Sequence, residues 1–83
     1  MKLLGMILKK LRKGKSLSQA DLSKEIKILP STYSRIERGE VEVGFVTYFR
    51  LQEYFAVNLQ KQIKESYKEL EQMSVLDYFG NIG

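Results

Sequence analysis

The sequence has no cysteine and no histidine, and a single proline in 83 residues. Without cysteine there is no disulfide framework and no thiolate nucleophile. Without cysteine or histidine the usual zinc ligand sets are also excluded. Ser-His and Cys-His catalytic arrangements fall for the same reason, and nothing pairs a nucleophile with a base. No feature calls for a cofactor, and an enzyme is not expected. Missing cysteine is compatible with a reducing cytoplasm. Long hydrophobic runs are missing too. The apolar stretch from Leu3 to Leu8 is too short for a signal-peptide core, and lysines follow it directly. No stretch approaches the roughly 20 residues of a membrane span. The expectation is a soluble, cytoplasmic protein without membrane association.

What is present is apolar enough to fold. Hydrophobic residues make up 43% of the chain, sufficient for one small packed domain. The net charge is +4, but it is unevenly spread. Residues 1–40 hold ten Lys/Arg and four Asp/Glu, a balance of +6, and residues 41–83 hold four and six, a balance of −2. A basic front half on a near-neutral back half suits a polyanion-binding face. The competing reading of such lysines is a solvated surface.

Strand-like alternation is scarce, so the chain reads as helical. Leu4, Ile7, Leu8 and Leu11 recur at helical spacing and place a first helix at 2–13, with Gly14 as its stop. Ser18 and Asp21 form a capping box for a second helix at 19–26, with Ala20, Leu22 and Ile26 facing inward. Pro30 fits the first position of a third helix at 30–38, ended by Gly39. A fourth helix is expected at about 45–55. Its apolar side is Phe45, Tyr48, Phe49, Leu51 (or Gln52) and Phe55. Asn58 caps a last helix at 59–72, striped by Leu59, Ile63, Tyr67, Leu70 and Met73 (or Ser74). The "GEVEVG" stretch between the third and fourth helices is a loop.

The second and third helices are short and joined by a tight turn. That is the outline of a helix-turn-helix, whose second helix enters the DNA major groove. Leu22, Ser23, Ile26, Ile28, Tyr33 and Ile36 would hold the two helices together. The outward positions of the third helix are polar and basic.

"LRKGKSLSQADLSKEI", "STYSRIERGE" and "VTYFRLQEYFAVNL" together resemble the Cro/C1-type (lambda-repressor-like, XRE family) helix-turn-helix proteins. The resemblance runs without gaps from about Gly5 to Leu59. It implies an all-α fold, a compact bundle of about five helices. It also implies double-stranded DNA as the partner, and roles by position. Gln19 opens the second helix, where its amide and the backbone N–H groups would hold a phosphate. Pro30, Ser31, Thr32 and Arg35 match the exposed front of the recognition helix. Arg35 would meet guanine O6/N7 in a two-pronged contact or bind phosphate, and Ser31 and Thr32 would read base edges or the thymine methyl. Ser34 and Arg38 match contacts to the DNA backbone. Glu37 matches a position that supports the bundle, here by bonding to Arg12.

The chain departs from that family's pattern in four places. Lys27 stands where a glycine turns the chain, and a left-handed lysine there costs about 1 kcal/mol. Leu29 replaces a capping Ser or Thr, with Pro30 as compensation. Glu42-Val43 replaces Asn-Pro before the fourth helix, and Ala56 replaces a glycine after it.

Residues 1–70 are thus expected to form the DNA-binding domain. Residues 71–83 form a C-terminal extension, in which Met73, Val75, Leu76, Tyr78 and Phe79 still need burial once the bundle is complete. That extension is the candidate dimerisation segment. The function expected is a sequence-specific transcriptional regulator, a repressor on a palindromic operator as a homodimer. Two other readings stay open. One is an antitoxin-type interaction module whose protein partner is a toxin. The other is a restriction–modification controller. No ligand domain is visible, so control would come from concentration or from a protein partner such as an anti-repressor.

Overall fold

A computed structural model describes residues 2–69. Four helices run Lys2–Gly14 (α1), Gln19–Glu25 (α2), Pro30–Glu37 (α3) and Phe45–Phe55 (α4). Residues 59–69 are helical as well (α5). The fold is all-α, and the described residues include no strand. Residues 70–72 of the expected last helix, and the 71–83 extension, lie outside the described residues.

The helix starts follow their chemistry. Asp21 N–H donates to Ser18 Oγ at 2.9 Å, and Ser18 N–H donates to Asp21 Oδ2 at 3.3 Å. These two bonds close the capping box and satisfy donors that a helix leaves orphaned. Leu29 caps α3 without a side-chain bond, so Pro30 at its first turn sets the backbone instead. Asn58 Oδ1 accepts from Lys61 N–H at 3.1 Å and starts α5.

The helix ends share one device. After each of α1 to α4, a residue in the left-handed region closes the paired backbone bonds of a Schellman motif. The left-handed residues are Ser16 (φ 56°), Lys27 (φ 60°), Gly39 (φ 72°) and Ala56 (φ 53°). Gly14 is therefore not the stop expected for α1. It lies inside the helix, and Ser16 makes the turn two residues later. At Lys27 and Ala56 the family's turn geometry is kept although the glycine is gone.

The core is built from Leu4, Ile7, Leu8, Leu22, Ile26, Tyr33, Ile36, Leu51, Phe55 and Leu59. Every helix contributes, so α2 and α3 are held as a unit against α1, α4 and α5. The fully buried Ser23 bonds to the Ala20 carbonyl at 2.8 Å and lets α3 approach α2 closely. Gly5 does the same for α1 and α3. A Cβ at position 5 would lie 2.3 Å from the Glu37 carbonyl oxygen, so only glycine allows this contact.

Several inward assignments are corrected. Ala20 is exposed, because the face of α2 that meets the core is Leu22, Ser23 and Ile26. Phe45 and Phe49 are 76% and 48% exposed, because α4 turns Leu51 and Phe55 into the core instead. Their rings pack edge to face on each other, with centroids 4.7 Å apart. Tyr67 is also exposed, while Leu59 is buried and Ile63 half-buried as expected.

Candidate DNA interface

α3 divides cleanly. Tyr33, Ile36 and Glu37 face the bundle, and Ser31, Thr32, Arg35 and Arg38 face outward. Positions 31, 35 and 38 follow helical spacing and so share one face. Pro30 is exposed at the N-terminal end of that face, and Ser34 is half-buried on its flank. Apart from the buried Glu37 and the half-buried Ser34, the polar side chains of this helix lie on its exposed side.

The two outward arginines differ. Arg38 Nε donates to Glu40 Oε2 at 3.1 Å, and its Nη2 lies 2.9 Å from the same oxygen. Both partners are more than half exposed, so the pair is worth less than ~1 kcal/mol and releases Arg38 easily. Arg35 takes part in no ion pair among the described residues. Glu40 was not singled out from the sequence. Its place two residues after Arg38, beyond the glycine turn, is the signal that was available.

Behind this face lies a buried polar cluster. Arg12 on α1 donates to Glu37 on α3 through Nε at 2.6 Å and Nη2 at 3.1 Å. It also donates to the Leu17 carbonyl at 2.7 Å through Nη1. Gln19 at the start of α2 gives its amide Nε2 to Glu37 Oε1 at 3.2 Å. One carboxylate thereby ties the first three helices together and fixes α3 against the others. Glu37 has the supporting place expected, bonded to Arg12, which is buried. Gln19 lies at the back of the motif, half-buried, rather than on the α3 face. Its second amide proton and the N-terminus of α2 are what it has to offer a phosphate.

The cluster shifts its own ionisation. Burial raises the Glu37 pKa, but the hydrogen bonds from Arg12 and Gln19, with the nearby Tyr33 hydroxyl, outweigh that, and the net shift is downward. The hydrogen bond to Glu37 holds the Arg12 pKa above its usual value against burial. Tyr33 is fully buried beside both, and burial foremost pushes its hydroxyl far up. The hydroxyl feels the Glu37 charge, yet among the described residues it has no hydrogen-bond partner of good geometry.

The sequence profile of helix-turn-helix proteins matches residues 8–62, two thirds of the chain and the whole of this arrangement. The chain belongs to the Cro/C1-type helix-turn-helix family. Membership carries DNA binding and transcriptional regulation as the function class. The fold is shared with the clp gene regulator ClgR from Corynebacterium glutamicum, at a TM-score of 0.76. That likeness covers 98% of this chain and 86% of the other at 17% identity, which speaks to fold alone. No curated protein matches the chain in sequence. In this helix-turn-helix protein α2 and α3 are the two helices of the motif. Among its described residues no cluster of acids is placed to hold a metal ion, and no helix is long and apolar enough to cross a membrane.

Proposed function

We propose that the protein is a repressor that binds a short palindromic operator as a homodimer, with one α3 in the major groove of each half-site. The observation that carries this reading is the outward face of α3. Ser31, Thr32 and Arg35 are exposed there, on a helix pinned from behind by Arg12 and Glu37. Arg35 makes the bidentate base contact, and Ser31 and Thr32 read neighbouring edges. Arg38, Ser34 and Gln19 bind phosphate and set the register. Half-sites lie about one helical turn apart, roughly 34 Å. Repression follows from occupying promoter DNA.

Selection of bound duplexes from a random library tests the reading. Enrichment of one motif with two-fold related halves supports it. A gel-shift titration with that motif then ranks the site residues.

One observation favours a second reading, an antitoxin-type module that meets a protein partner. Phe45, Val46 and Phe49 form an exposed apolar strip at the start of α4. Glu40 and Glu42 precede it in the loop, where a phosphate-gripping surface would carry cations. Co-purification with a stoichiometric partner protein, lost on Phe45→Ser, would favour that reading.

A further inference from the structure

Leu29 stands where two rules of stability oppose it. It is the N-cap of α3, with φ −68° and ψ 141°, and it makes no side-chain bond to the helix. The N-cap of α2 has nearly the same backbone, φ −78° and ψ 164°, and there the Ser18 hydroxyl accepts from Asp21 N–H. A hydroxyl at position 29 would cap α3 in the same way, through the Thr32 N–H. Leucine forgoes that bond. It also gains little from burial. Leu29 is 68% exposed, whereas its neighbour Ile28 packs on the core. A capping bond is missing and apolar surface stays in water, with nothing gained inside the bundle. A position that breaks local rules in this way is expected where a residue acts on something outside the fold.

Its neighbours indicate what that is. Pro30, Ser31 and Thr32 follow directly and are exposed, so Leu29 sits at the leading end of the outward face of α3. In a helix-turn-helix the N-terminal residues of the second helix meet base edges. The major groove offers them donors, acceptors and one apolar group, the C5-methyl of thymine. We propose that Leu29 packs on a thymine methyl in each half-site and selects that base. Against another base edge, or against a phosphate, the leucine would cover polar atoms and leave them unpaired, which disfavours those alternatives. Discrimination at this base pair is apolar, beside the hydrogen-bonding contact given to Arg35. The inference deepens the DNA reading and rests on it.

Deoxyuridine provides the test, because it lacks only the methyl group. Each thymine of the selected motif is replaced by deoxyuridine in turn, in both half-sites, and affinity is read by fluorescence anisotropy. At one thymine the native chain is expected to lose about four-fold per half-site, the effect of one buried methyl group. Leu29→Ala and Leu29→Ser are expected to bind the thymine duplex more weakly and to lose less than about two-fold on the same replacement. Leu29→Ser is also expected to melt higher than the native chain, since its hydroxyl restores the cap. Four results overturn the inference alone and leave the DNA reading standing. They are a selected motif without thymine, a native affinity indifferent to every deoxyuridine, a penalty that persists undiminished in Leu29→Ala, and a Leu29→Ser chain that melts clearly below the native one. The third would move the methyl contact to another residue, and the fourth would give Leu29 its role within the fold. A selection that yields no motif overturns the DNA reading and this inference together.

Discussion

Arg35 and Arg38 sit one turn apart on α3, but Glu40 makes them unequal. Arg38 begins paired, and among the described residues Arg35 does not. Arg35→Ala is expected to weaken specific binding by ~1–3 kcal/mol in a gel-shift titration, with the fold intact. Arg38→Ala is expected to lower affinity evenly across sequences and to flatten the salt dependence. Tyr33 makes a different point. Its buried hydroxyl lacks a well-formed bond among the described residues, and a buried unsatisfied group costs ~1–3 kcal/mol. Tyr33→Phe should therefore keep or raise the thermal midpoint. Glu37 sets the acid limit of the fold. Its folded pKa is depressed, so the unfolded chain binds the proton more tightly. Its stabilisation is complete above the ordinary glutamate pKa, near ~4.3, and is lost as pH falls through the lower folded value. Denaturant midpoints should fall below that pH in the native chain and lose this dependence in Glu37→Gln, which is less stable at neutral pH.

The elements were legible in the sequence almost to the residue, because each has its own start and stop chemistry. Ser18 with Asp21, Pro30 and Asn58 announce three helix starts, and the structure has all three. What was not legible is where α1 turns. Gly14 is an attractive stop by residue type, yet Ser16 takes the left-handed position, since the core fixes where α1 must hand over to α2. Lys27 and Ala56 show the same precedence of packing over propensity. Each sits in the left-handed region at about 1 kcal/mol of strain. Lys27→Gly and Ala56→Gly should each raise stability by up to ~1 kcal/mol, read as a higher denaturant midpoint. Gly5 behaves in the opposite sense. Its value lies in a contact with α3 that no local pattern announces. Gly5→Ala should cost ~1–3 kcal/mol by forcing α1 off α3, and thermal melts will show it. The sequence also put Phe45 and Phe49 inside, since helical spacing cannot tell a core stripe from a second apolar strip on one helix.

Across the whole molecule, function separates by face. In the proposed reading α3 carries the DNA chemistry; the Arg12–Glu37–Gln19 cluster fixes it from within, and no α3 residue lines a groove that α1, α4 and α5 form. The charge imbalance between the two halves was visible at once in the sequence. Its meaning needed the fold, since Arg12 is buried and Arg38 starts out paired. The cations that remain make binding salt-dependent, and affinity should fall linearly on a logarithmic plot against salt. The most direct measurement is selection of bound duplexes from a random library by the native chain and by Arg35→Ala in parallel. The native chain should enrich one motif with two-fold related halves, and Arg35→Ala should lose preference at one base pair in each half. A native pool that stays as diverse as its input would contradict α3 as a sequence-reading helix.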